Sequence, residues 1–291
     1  MKIIKYLIQA FIIYTLFLII KIIGLNVSRI IFSRIFILFG SFFKSDDIIN
    51  KNLQIVYNDL ELEDKKKIKQ QMWSNYGKVF VEYMFLKKFR ENLFSDHHIQ
   101  IKGIENLEGI LKNKQKAIFV SGHFANFELM SMELTKLGVN LATIYRPLNN
   151  FFINPLMESL RKKYICHNQI KKGISGIREA VNFLKNNTSI ALMLDQRLSE
   201  GEKINFFSQP ALTTTLPAQL ALKFKCPIIP IFISRTPKNH FIMEIMEPIN
   251  FNNYEKETYK IDTTTELNKI LEKMITRSSG QWIWTHDRWK S

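Results

Sequence analysis

The chain has only two cysteines, Cys166 and Cys226, in 291 residues. That is too few for a disulfide framework, and they lack the paired spacing of a zinc ribbon or finger. They read as buried or incidental thiols of a protein facing a reducing compartment. Acidic residues are scarce too: 26 Asp and Glu stand against 41 Lys and Arg, for a formal net charge of +15 and a pI near 9.6. This balance favours acidic partners, whether nucleic acid, anionic lipid or an acidic protein. No zinc finger, RNA-binding aromatic signature or dense basic helix accompanies it, so nothing points to nucleic acid. Internal repeats and low-complexity linkers are missing as well. A hydrophobic fraction of 46% and a mean hydropathy of −0.08 fit a mostly soluble chain with limited membrane contact and a sizeable core.

Long apolar runs are confined to the N-terminus. Tyr6 to Ile20 holds no charged residue, and beyond Lys21 the apolar character continues to Val27. A bilayer span needs roughly 20 residues, so Tyr6–Val27 suffices with Lys21 snorkelling. A cleaved signal peptide lacks its small-residue cleavage site here, and a buried core helix is rarely apolar on every face. An uncleaved membrane anchor is the preferred reading. The following stretch, Ile30–Phe43, is short and flanked by Arg29, Arg34 and Lys44. It reads as an interfacial helix whose basic side chains reach anionic headgroups, or as a helix packed on the globular domain. Residues 1–45 thus form an appendage, and 46–291 one larger domain.

A charged helical pattern runs from Asp59 through Trp73, Tyr76 and Tyr83. From Ile99 onward the pattern alternates. Strands are predicted at Ala117–Val120, Leu141–Tyr145, Ile190–Leu194, Ile228–Ile233 and Phe241–Ile245. Helices are predicted at Phe127–Leu137, Pro155–Tyr164, Ile174–Lys185, Pro217–Phe224 and Thr264–Thr276. Such alternation implies an α/β sandwich with a mostly parallel central sheet.

The segment richest in chemistry is Ser121-Gly122-His123-Phe124-Ala125-Asn126-Phe127-Glu128. It follows a predicted strand and leads into a predicted helix, a usual place for chemistry in α/β proteins. A histidine steadied by a carboxylate is suited to act as a general base. No nucleophilic Ser or Cys motif lies nearby, which points to direct activation of a substrate hydroxyl. The plainer alternative is a surface histidine and a helix N-terminal acid. A zinc site lacks a third ligand, since His97, His98, His167, His240 and His286 are scattered. Further polar clusters fall at strand ends: Tyr145-Arg146-Pro147, Arg161, and Asp195-Gln196-Arg197. The run Phe206 to Thr214 reads as a turn-rich loop with exposed aromatics, and Gln281-Trp-Ile-Trp-Thr-His-Asp-Arg-Trp-Lys290 closes the chain.

These clusters, in this order, resemble the bacterial lipid A biosynthesis acyltransferases of the late, lauroyl/myristoyl type. The resemblance spans nearly the whole chain and includes Phe206-Phe207, Pro210-Ala211-Leu212-Thr213 and Pro227-Ile-Ile-Pro230. It departs at Gly280, where the family usually carries an acidic residue. The resemblance implies a glycerolipid-acyltransferase-like α/β fold at the bacterial inner membrane, with the active site facing the cytoplasm. It implies transfer of a fatty acyl chain from acyl-acyl carrier protein to a hydroxyl on a Kdo-bearing lipid A precursor, with no metal or organic cofactor. His123 would take the hydroxyl proton and Glu128 would orient His123. Asn126, Arg146, Arg161 and Asp195 would bind substrate or the oxyanion. Phe206, Phe207 and Leu212 would line the acyl channel or simply pack. Alternatives are an acyltransferase for another membrane lipid, such as a phosphatidylinositol mannoside, and a non-catalytic membrane scaffold.

Overall fold

The computed structural model describes residues 2–249 and 257–290. Two apolar helices lead, α1 (Lys2–Ile23) and α2 (Leu25–Phe43), each long and apolar enough to cross a membrane. The expected span through Val27 is broken at Gly24, whose φ of 86° only glycine adopts readily. α3 (Asp46–Tyr57), capped by Ser45, and α4 (Leu62–Glu82) follow. α2 lies along α4, with Gly40 against the Trp73 indole and Gly77 against the Phe32 backbone. Its inward residues Leu25, Ser28, Arg29 and Phe32 are buried, while Val27, Ile30, Ile35, Leu38 and Phe42 are exposed. The helix therefore seats one face in the fold and turns an apolar face outward. Arg29, expected among lipid headgroups, is instead buried on Glu82, to which it donates at 2.8 Å.

After α5 (Leu86–Arg90) the chain alternates: β1 (Ile99–Lys102), α6 (Glu108–Lys112), β2 (Ile118–Ser121), α7 (Glu128–Lys136), β3 (Leu141–Tyr145) and α8 (Asn154–Leu160). A π-helical turn (Arg161–Ile165) then leads to β4 (Asn168–Lys171), α9 (Ile174–Lys185) and β5 (Ser189–Met193). Next come β6 (Glu202–Phe206), β7 (Gln209–Thr213), α10 (Leu216–Phe224), β8 (Ile228–Arg235), β9 (Phe241–Ile245) and α11 (Tyr259–Arg277). Seven strands form the main sheet in the order β1-β9-β8-β2-β5-β3-β4, parallel except where β8 meets β9. The mostly parallel α/β fold is as expected.

The five strands predicted are the five inner ones, β9, β8, β2, β5 and β3. Their side chains alternate between two cores: Phe119, Ile229 and Ile231 join one, with α4, α5 and α7, and Ile118, Val120 and Phe232 join the other, with α9, α10 and α11. The unpredicted β1 and β4 are four-residue edge strands, half exposed and poor in apolar residues. The expected loop at 206–214 is a correction: β6 and β7 form a separate hairpin. Its turn places Phe207 and Ser208 at φ 51° and 59°, a two-residue geometry usually written Asn-Gly, so its sequence conceals it.

Candidate active site

Strand pairing assembles the site. In the β2–β5 ladder Ser121 lies opposite Met193, and two residues further on each strand come His123 and Asp195. The ladder extends one step more through Leu194 N–H donating to the Ser121 carbonyl at 2.9 Å. β2 then connects to β3 beyond β5, while β5 leads away to β8 on the other side of β2. Connections leaving in opposite directions put their helices on opposite faces and open a crevice at the carboxyl ends of the strands.

Asp195 is completely buried. Its Oδ1 faces His123 Nδ1 at 2.7 Å, and its Oδ2 accepts from the His123 backbone N–H at 2.7 Å and from Trp282 Nε1 at 2.9 Å. Burial opposes ionisation of Asp195, but His123 and these hydrogen bonds outweigh it and hold the carboxyl below the usual range. Burial likewise disfavours a charged His123, and Asp195 outweighs it, so the imidazolium is held above the usual histidine value. A carboxylate on Nδ1–H leaves the lone pair on Nε2, at the ring edge away from Asp195. The imidazole packs edge-on against Phe127, with centroids 4.6 Å apart.

Glu128, expected to orient His123, has another partner. Its Oε1 accepts from Arg161 Nε at 2.9 Å and Nη2 at 2.7 Å, and from the Tyr83 hydroxyl. Arg161 Nη2 also contacts the Tyr83 oxygen at 2.9 Å, and the guanidinium lies 5.9 and 5.6 Å from the Tyr83 and Tyr145 ring centres. Glu128 still acts on His123 through space, raising its pKa less than Asp195 does. The exchange of carboxylates has a local cause. Glu128 starts α7 and meets Tyr83, just past α4, and Arg161 of the π-helical turn, whereas Asp195 comes from the adjoining strand end. By sequence Tyr83 is only one member of a helical stripe, because its role depends on where α4 ends relative to α8.

The intervening loop is held from behind. Ala125 has φ 46°, a left-handed conformation that costs a non-glycine residue about 1–3 kcal/mol. Its N–H donates to the Gln281 carbonyl at 3.1 Å and its carbonyl accepts from Asn75 Nδ2 at 3.0 Å. Asn126, expected near the substrate, is buried and donates to Glu82 Oε2 at 2.9 Å. Arg146 is exposed just past β3. Phe206 is wholly buried, stacked on Trp289 at 5.4 Å and with the Arg288 guanidinium 4.9 Å from its ring centre, so it packs. Phe207 and Leu212 are partly exposed. Gly280 is buried against Gln71, where an added β-carbon would fall 2.5 Å from the Gln71 Cβ, so a larger residue would force α4 to shift.

A family model described as bacterial lipid A biosynthesis acyltransferase matches residues 1–291. The chain belongs to this family. A lipid A biosynthesis palmitoleoyltransferase of Escherichia coli (strain K12) is 24% identical over 258 residues, covering 85% of this chain and 79% of the relative. A lipid A biosynthesis acyltransferase of Haemophilus influenzae (strain ATCC 51907 / DSM 11121 / KW20 / Rd) is 23% identical over 256 residues, covering 84% and 77%. A lipid A biosynthesis lauroyltransferase of the same Escherichia coli strain is 21% identical over 249 residues, covering 84% and 78%. The protein is thus an acyltransferase of lipid A biosynthesis with a lipid substrate, and its two apolar N-terminal helices mark it as membrane-associated. In this acyltransferase His123, Asp195, Glu128, Arg161 and Tyr83 gather at one crevice, while Asn126 and Phe206 are turned into the fold.

Proposed function

We propose that the acyltransferase moves a fatty acyl chain from an acyl-acyl carrier protein to the hydroxyl of a primary acyl chain on a Kdo-bearing lipid A precursor, at the cytoplasmic face of the inner membrane. The observation that carries this reading is the His123–Asp195 pair at the end of β2 and β5, with no serine or cysteine nucleophile in its hydrogen bonds among the described residues. His123 Nε2 takes the proton of the acceptor hydroxyl, and the oxygen attacks the thioester carbonyl. The tetrahedral oxyanion collapses with loss of the carrier thiolate, which takes the proton from the imidazolium. An ester and a free thiol result. Asp195 fixes the tautomer and balances the imidazolium charge. This replaces Glu128 as the orienting group, and Glu128 serves by holding Arg161, whose Nη1 is directed to no acceptor among the described residues and suits an oxyanion or an acceptor phosphate. Arg146 is the exposed candidate for the acceptor headgroup, and Phe207 and Leu212 for the acyl chain. Residues 1–45 hold the enzyme at the bilayer, with one face of α2 shared with the catalytic domain of 46–291. The net charge of +15 suits an acidic carrier and an anionic acceptor.

The test uses full-length detergent-solubilised protein, a tetra-acylated Kdo-bearing precursor and a panel of acyl-acyl carrier proteins, read by mass spectrometry. The expected result is a mass gain of one acyl chain, reduced about 10²–10⁴-fold in His123→Ala. No gain with any donor from folded protein, or an undiminished rate in His123→Ala, would overturn the reading.

A further inference from the structure

The loop carrying His123 has no regular structure between β2 and α7, so something other than a ladder or helix must set its position. A buried polar network behind it does this. Glu82, the last residue of α4, is fully buried, and its carboxylate is gripped from two sides. Arg29 of α2 donates through Nε at 2.8 Å and sets its Nη2 beside the same oxygen as an ion pair at 2.8 Å, and Arg235 at the end of β8 donates through Nη1 and, at 3.0 Å, Nη2. The same carboxylate accepts from Asn126 Nδ2. Arg235 Nε reaches Asn75 Oδ1 at 3.0 Å, and Asn75 holds the Ala125 carbonyl. Gln281 bonds both edges of the Arg235 backbone, at 2.7 and 2.8 Å, while its own carbonyl holds the Ala125 N–H. The bonds that Gln281, Asn75 and Glu82 make to residues 125 and 126 therefore all lead to Glu82 or Arg235.

We propose that Glu82 is a positioning residue for acyl transfer, holding the His123–Glu128 loop in its reactive shape through Asn126 while its two arginines tie that loop to α2 and β8. Glu82 touches no substrate. It acts because a charged, water-excluded acceptor fixes the Asn126 amide far more tightly than solvent would. Seating of the outward-facing apolar helix α2 and the geometry at His123 thereby share one anchor. This inference rests on the reaction proposed above.

Removing the Glu82 charge altogether would strand two buried guanidiniums and risk unfolding. The decisive variants are therefore Asn126→Ala, which leaves the ion cluster whole, and Glu82→Asp, which keeps the charge but shortens its reach. Each is expected to lower kcat about 10- to 100-fold, the scale of a misplaced catalytic group, with donor and acceptor KM within about threefold of wild type. The double variant should be no slower than the slower single one, because both break the same tie. Hydrogen exchange of amides 122–128 should quicken in both, with α4 still protected. Wild-type kcat and loop exchange in Asn126→Ala would overturn the proposal. So would multiplying losses, or a loss in Asn126→Ala without one in Glu82→Asp, which would make Asn126 a direct substrate contact. Wild-type protein that transfers no acyl group would overturn the reaction and not the tie, and loop exchange alone then decides the tie.

Discussion

Asp195→Asn separates the two carboxylates that flank His123. Asp195 Oδ2 receives two N–H donors, the His123 amide and the Trp282 indole, while Oδ1 faces only Nδ1. An amide at this position keeps its carbonyl oxygen where the two donors point, since an NH₂ there would oppose both. Its NH₂ must then face Nδ1, which turns Nδ1 into an acceptor and moves the ring proton to Nε2. The nitrogen that should take the substrate proton is already protonated. In a serine-protease triad the same reversal of tautomer, with geometry intact, costs about 10⁴-fold. Loss of a general base alone costs about 10²–10⁴-fold, so about 10³–10⁴ is expected here, equivalent to about 4–5.5 kcal/mol of barrier. The pH profile gives an independent reading. As the proposed general base, His123 would be inactive when protonated, and Asp195 is the main reason its pKa is raised. In wild type the rate therefore climbs as pH rises through a value above about 6.5, and in Asp195→Asn this acid limb moves to lower pH. Glu128→Gln removes only a weaker through-space effect, so its limb moves less. The assay is acyl transfer followed by mass spectrometry from pH 5 to pH 9. A rate for Asp195→Asn within about tenfold of wild type, or equal displacement of the limb in both variants, would refute the assignment of Asp195 as the orienting group.

Glu128→Gln and Arg161→Ala should each slow transfer, and the double variant should be no worse than the slower single, because the two side chains form one unit; multiplying losses in a double-mutant cycle would count against this. Arg161→Lys should not restore the rate, since an ammonium cannot supply Nε and Nη2 together while lying between two tyrosine rings. Gly77→Ala would put a β-carbon 2.3 Å from the Phe32 carbonyl oxygen, a backbone atom with nowhere to go, and should destabilise the protein by about 1–3 kcal/mol. An unchanged unfolding temperature in detergent would contradict the close seating of α2 on α4. Arg146→Ala should raise the acceptor KM with little effect on kcat, and an unchanged KM would remove Arg146 from headgroup binding.

The inner strands and their helices were legible because a buried parallel strand must be apolar at every position, as in Ile118–Phe119–Val120, and because helical spacing repeats over many residues. β1 and β4 were not, since an edge strand needs few apolar residues. The β6–β7 hairpin was hidden by a turn made of phenylalanine and serine. Among the site residues, His123, Glu128, Arg161 and Asp195 could all be singled out by type and by position at strand or helix ends. Their pairing could not. Glu128 is five residues from His123 and Asp195 is seventy-two away, so proximity along the chain favours the carboxylate that turns out to face elsewhere. What the sequence by itself determined was the α/β class, the apolar N-terminus and the titratable groups at strand ends, because these follow from local periodicity and residue chemistry. The tertiary structure alone decided that β5 lies beside β2, that α2 buries Arg29 on Glu82, and therefore which carboxylate faces His123. A side chain's partner is set by strand order and helix seating, and these depend on how the whole chain fills its two cores.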